Sequence, residues 1–145
     1  MKNILTLCIG NICRSPLAEA LLARELPTHR VWSAGLGALV GHPADPTSVQ
    51  IGLEQGLDLS GHRAQQITSF MCQQADLILV MEQGHKAQLE QQYPQVRGKV
   101  FRLGQLGQFE IADPYREPRE AFDAAWAAIA RGVADWVPRI QQLSR

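Results

Sequence analysis

The chain has 145 residues, 14 basic and 14 acidic side chains, and no net charge at neutral pH. That length suits one domain, residues 1–145, with a sizeable core, and the balanced charge leaves no footprint for nucleic acid or an anionic membrane. Three cysteines do not make the even framework of a small secreted domain, and no apolar run is long enough for a signal core or a membrane span; the expectation is a cytoplasmic protein without membrane insertion.

Ile4, Leu5, Leu7 and Cys8 form an almost unbroken apolar run, as in a strand covered on both faces. After a short loop, Ser15 reads as a helix N-cap and Pro16 as the first helical residue, with the helix running to about Leu26. Val31 to Ala34 reads as a second strand, and Gly35 to Pro43 as a flexible, glycine-containing loop. Asp45 caps a helix that has Pro46 at its first position and Gly56 at its close. Leu57 to Ala64 is irregular, and a short helix follows Thr68 and ends near Gln74. Asp76 to Met81 is the clearest buried strand after the first. A polar helix occupies Gln83 to Gln92 and stops at Tyr93-Pro94. Lys99 to Leu103 is a fourth strand, Gly104 to Glu117 a long loop, and Pro118 to Leu143 the last helix. Phe122, Trp126, Ile129, Val133, Trp136 and Ile140 fall on one stripe of that helix, which points them at a core. Strands alternating with helices predict an α/β three-layer sandwich on a parallel sheet.

The loop after the first strand carries the chemistry. Five residues separate Cys8 from Arg14, in the string Cys8-Ile9-Gly10-Asn11-Ile12-Cys13-Arg14-Ser15-Pro16. A loop entering a helix aims backbone N–H groups at one place, which favours an anion there. Arg14 adds a planar fork suited to phosphate. The same positive surroundings favour the thiolate form of Cys8 beneath the anion. Gly10 permits a close backbone approach, and Asn11 is a residue type that tolerates a left-handed turn. His29, His42 and His85 show no metal-ligand spacing and read as solvated surface, so neither metal nor cofactor is expected. Cys72 reads as a structural core residue.

With Asp113-Pro114-Tyr115 near the other end, these motifs resemble the low-molecular-weight protein tyrosine phosphatase family over essentially the whole chain. Ser33-Ala34-Gly35-Leu36-Gly37-Ala38-Leu39-Val40-Gly41 is most similar to its bacterial branch associated with capsule and exopolysaccharide synthesis. The resemblance implies four parallel strands in the order 2-1-3-4, with the Cys8 loop at the carboxyl end of a central strand. It implies that Cys8 is the nucleophile, that Arg14 and the N–H groups from Ile9 through Gly10, Asn11, Ile12 and Cys13 hold the phosphate, and that Asp113 is the general acid. Read alone, Asp113 before Pro114 is a turn-former. Ser15 caps the helix and donates to the departing thiolate, while Asn11, Ser33 and His62 brace the loop; for His62 a plain surface position competes. Tyr115 is one wall of an aryl slot, and Leu36 to Val40 the other. Arg116 stands where animal members resemble Asp-Pro-Tyr-Tyr. Cys13 has two readings, an apolar filler or a disulfide partner for oxidised Cys8.

The implied partners are phosphotyrosine proteins, among them the tyrosine-rich tail of a bacterial tyrosine autokinase, and phosphate or other oxyanions in the active site. An arsenate reductase on the same fold needs further cysteines, and only Cys72 lies beyond the loop. A non-catalytic phosphate-binding module would have no use for Cys8, Arg14 and Asp113 together.

Overall fold

A computed structural model describes all residues, Met1–Arg145. β1 (Asn3–Cys8) lies between β2 (Arg30–Gly35) and β3 (Leu77–Val80), with β4 (Val100–Arg102) outside β3. All pairings are parallel, and the strand order is 2-1-3-4 as expected. Alternation along β1 sends Ile4 and Cys8 to one face and Leu5 and Leu7 to the other. The first face packs against α1 (Arg14–Glu25), α2 (Pro46–Glu54) and α5 (Arg119–Leu143). The second is covered by α3 (Ser69–Gln74), α4 (Gln83–Gln92) and a 3-10 turn at Pro94–Val96. A sheet buried on both sides explains why its strands read as continuous apolar runs.

Cap chemistry sets several of the boundaries. Asp45 accepts from the Thr47 N–H at 2.9 Å to start α2, and Gly56 follows the end of that helix at φ +75°. Thr68 caps α3 by accepting from Met71 N–H at 3.2 Å. The expectation for Ser15 fails: α1 starts two residues earlier, at Arg14, with Cys13 at the N-cap and no side-chain cap bond. Pro16 is therefore the third helical residue, still within the first turn, where no N–H is needed. The Ser15 hydroxyl is engaged elsewhere.

On α5, Phe122, Ile129, Val133, Trp136 and Ile140 are buried, and Trp126 packs half-buried beside them. Pro138 sits inside this helix near its end. No helix is long and apolar enough to cross a membrane.

The three parallel strands β1, β3 and β4 all end toward one edge of the sheet. The loops leaving them (residues 9–13, residues 81–82 and residues 103–118) gather there, beside the point where the chain order reverses between β1 and β3. Such an edge is where open α/β sheets take ligands.

Candidate active site

Cys8 is the last residue of β1 and only 2% exposed, at the base of a cavity of about 390 Å³. The loop above it is polarised. Six consecutive carbonyls are tied outward by other segments. Leu36 N–H donates to Cys8 O at 2.9 Å, Gly37 N–H to Ile9 O at 3.0 Å and Leu39 N–H to Gly10 O at 3.1 Å. His62 Nε2 donates to Asn11 O at 2.6 Å, Asp45 N–H to Ile12 O at 2.8 Å and Ser48 Oγ to Cys13 O at 3.2 Å. In a trans peptide the N–H points opposite to the carbonyl it adjoins. The N–H groups of Ile9 through Arg14 therefore face the other way, and those from Ile9 to Cys13 have no acceptor in the protein. They form a ring of donors beside the α1 N-terminus, an arrangement that binds oxyanions.

Asn11 takes the left-handed turn at φ +59°. Gly10 does not, and a Cβ on it would make only ordinary contact with Ile12 and Leu39. The glycine that close approach demands is Gly35, where a Cβ would stand 2.3 Å from Ile9 O.

Behind the loop, proton accounting orients a buried network. Gln65 N–H can only donate, and it reaches Asn11 Oδ1 at 2.9 Å. The amide nitrogen of Asn11 then donates to Ser15 Oγ at 2.8 Å and Ser33 Oγ at 3.0 Å. The Ser33 hydroxyl donates to Glu19 Oε1. That leaves the Ser15 hydroxyl proton for Cys8 Sγ, 3.0 Å away. Asn11 and Ser15 are fully buried and hold the loop from behind, without lining the cavity. Burial pushes the Glu19 carboxyl above its usual range, against the hydrogen bond from Ser33.

Arg14 is 2% exposed and held at one end. Its Nη1 donates to Glu82 Oε2 at 2.6 Å and to Ile111 O at 2.7 Å. Its Nε has no partner, although it is buried and the residue lines the cavity. The grip on Nη1 leaves the Nε and Nη2 edge for a ligand. Asp113 Oδ2 stands 3.7 Å from Nη2, and Asp113 Oδ1 accepts from Tyr115 N–H at 3.0 Å. Pro114 is buried behind it. Tyr115, Leu39 and Ile12 give the cavity apolar walls. Of the wall expected from Leu36 to Val40, only Gly37 and Leu39 line the cavity; Leu36 is buried in the core, and Val40 is 66% exposed.

Cys13 also lines the cavity, and burial, then Asp45 and Cys8, push its thiol pKa far up, so it stays protonated. Cys8, Cys13 and Cys72 are all free thiols, and Cys72 is wholly buried.

Three participants escaped the sequence reading. Glu82 orients Arg14, Glu19 terminates the network, and His85 is not solvated surface. His85 is 6% exposed, with Nε2 3.3 Å from the same Glu82 oxygen that takes Arg14. Burial, then the Arg14 charge, lowers its pKa, so it is neutral at neutral pH. Its position one turn after Glu82 was the available signal, as was a carboxylate directly beyond a buried parallel strand. His29 is half-buried and bonded to Ser144 Oγ at 2.9 Å, while His42 is exposed as expected. Glu82→Gln keeps an acceptor but removes the charge that fixes Arg14. Inhibition constants for inorganic phosphate should rise about tenfold, the size of one hydrogen bond to a charged group; unchanged constants would show that Ile111 O alone suffices.

Residues 3–145 match the family described as low molecular weight phosphotyrosine protein phosphatase. The chain is 53% identical over 143 residues to a probable low molecular weight protein-tyrosine-phosphatase, EpsP, of Ralstonia nicotianae, covering 99% of both chains. Among solved structures, Wzb of Vibrio vulnificus in complex with benzylphosphonate is 44% identical, with TM-score 0.92 over 95% of this chain and 98% of that one. The arginine phosphatase YwlE of Geobacillus stearothermophilus is 32% identical, with TM-score 0.91 over 98% of this chain and 94% of that one.

Proposed function

The chain belongs to the low molecular weight phosphotyrosine protein phosphatase family, and from that membership we propose that it hydrolyses protein phosphotyrosine through a phosphocysteine intermediate formed on Cys8. The observation that carries this reading is the ring of unpartnered N–H groups closed by the free edge of Arg14, with Cys8 Sγ beneath it.

The phosphoryl oxygens sit on the ring and on Arg14. The Cys8 thiolate attacks phosphorus, the bond to the tyrosine oxygen breaks, and Asp113 gives that oxygen its proton. Asp113 then takes a proton from the water that attacks the phosphocysteine. Inorganic phosphate leaves, and the Ser15 hydroxyl stabilises the returning thiolate. The N–H ring serves both steps because it is complementary to three equatorial oxygens.

The walls favour a phenyl ring over a guanidinium. Leu39 and Tyr115 are apolar, and Arg116 places a positive charge at the mouth. A serine side chain has one methylene with which to bring its phosphate past those walls to the buried sulfur. The finer reading follows the likeness of residues 33–41 to the capsule and exopolysaccharide branch: a cytoplasmic, single-domain enzyme that dephosphorylates the tail of a tyrosine autokinase.

Peptides carrying phosphotyrosine, phosphoserine or phosphoarginine, assayed with and without EDTA, test this. Phosphotyrosine should lead by on the order of 100-fold in kcat/KM. EDTA should change nothing, since every role is filled by the chain's own groups. A preference for phosphoarginine, or loss on chelation with recovery on adding a divalent ion, would overturn the proposal.

A further inference from the structure

We propose that Arg116 is a specificity determinant: its guanidinium binds an anionic group, a carboxylate or a second phosphate, that the substrate carries within a few residues of its phosphotyrosine. The inference deepens the phosphotyrosine reading and rests on it.

Four observations meet at this residue. First, Arg116 is exposed and lines the mouth of the cavity with Tyr115 and Leu39. Second, it has no ion pair and no side-chain hydrogen bond; Arg119, three residues on, is held by both Glu54 and Asp123. Third, its guanidinium carbon stands 5.2 Å over the Tyr115 ring, which orders the side chain before a ligand arrives. Fourth, its backbone lies at φ +64°, a conformation that glycine adopts freely and other residues adopt at a cost. A bare turn would be served best by glycine. An arginine held there, ordered and unpaired, supplies something other than the turn.

The phosphate being cleaved does not need it. That group has Arg14 and the N–H ring, deeper in the cavity. Tyr115 forms the slot wall, so a guanidinium stacked on its ring stands beside the peptide that carries the phosphotyrosine. Consecutive residues of an extended peptide advance about 3.3–3.6 Å, so flanks within two or three positions lie in reach of an arginine side chain. The planar fork suits a carboxylate or a phosphate in bidentate fashion.

The test uses short phosphotyrosine peptides that differ only beside the phosphotyrosine: neutral, glutamate, lysine, or a second phosphotyrosine. Initial kcat/KM is measured for the wild type, Arg116→Lys, Arg116→Gly and Arg116→Glu. The wild type should prefer glutamate over neutral flanks by about fivefold, the upper range for an exposed ion pair, with lysine flanks poorest and the preference shrinking as salt rises. Arg116→Lys should keep most of the preference, Arg116→Gly should reduce it to near unity, and Arg116→Glu should reverse it. Preference for the doubly phosphorylated peptide alone identifies the anion as phosphate; preference for both identifies negative charge as such. Arg116→Gly also removes the left-handed cost, so a folded, active variant with a flank ratio near unity separates charge from folding. Equal rates across flanks in the wild type, or an acidic preference that survives Arg116→Glu, overturns the inference and leaves the phosphotyrosine reading standing. Failure of every phosphotyrosine peptide in the wild type sinks that reading itself.

Discussion

Cys8→Ser should lose turnover by a factor on the order of 10⁴–10⁶, as when a catalytic nucleophile is removed elsewhere, while still binding inorganic phosphate. The first half follows from the proposed role of Cys8 as nucleophile. A serine hydroxyl here has no base hydrogen-bonded to it: Ser15 Oγ at 3.0 Å is a neutral hydroxyl that donates to this position while accepting from Asn11. The second half follows from the anchors. None of the six outward bonds that orient the loop involves the Cys8 side chain, so the donor ring persists in the variant. Arg14→Ala behaves differently. It removes the only side-chain cation of the cradle and strands Glu82 beside a cavity, so turnover and phosphate binding should both fall. Calorimetric titration with phosphate, beside turnover of p-nitrophenyl phosphate, reads the two properties separately. Steady turnover by Cys8→Ser would remove Cys8 from the mechanism.

Asp113→Ala should slow phosphoenzyme formation from phosphotyrosine by roughly 10²–10⁴-fold, the usual contribution of a general acid. The structure narrows the choice of acid. Asp113 lines the cavity, with Oδ2 3.7 Å from Arg14 Nη2. Glu110 accepts from the Gln83 N–H and does not line it. Asp45 is engaged in capping α2, as its place before Pro46 implied. Glu82 is bonded to Arg14 and cannot protonate a leaving group without releasing it. The loss should be smaller for p-nitrophenyl phosphate, whose leaving oxygen is a weak base. Overall turnover should fall for both substrates, because in the proposed mechanism Asp113 also takes the proton from the attacking water. Burst-phase rates across leaving groups of graded basicity separate the steps: a steeper dependence in Asp113→Ala than in the wild type is expected. Identical slopes would assign the acid to another residue.

Much of this was legible because the signals were local. The strand, the turn at Asn11 and the Asp-Pro-Tyr string each occupy a few consecutive residues, and the alternation of elements led to the parallel sheet. The misreadings arise where distance in sequence hides proximity in space. Ser15 before Pro16 has the form of a cap, but β1 lies directly beneath it and the Cys8 sulfur and Asn11 engage its hydroxyl. His85 sits on a polar helix, and only the packing of α4 beside β3 buries it against Glu82. Glu82 meets Arg14 across 68 positions of chain. Gln65 and Gln66 look like loop polar residues, yet they hold Asn11, Ser33, Leu36 and Ala38 in place.

The outward anchors of the loop come from residues 36–39, 45, 48 and 62, none of them within its own stretch of chain. No fragment holding only β1, the loop and α1 could shape the donor ring; left to water, those carbonyls would turn freely and the N–H groups would scatter with them. Catalytic competence thus requires the segments 36–39, 45–48 and 57–66 to be docked on the loop. Such an enzyme reports on its own integrity: denaturant curves followed by catalysis and by tryptophan fluorescence should coincide, and a lesion far from the sulfur should register at the sulfur once it loosens any of those segments.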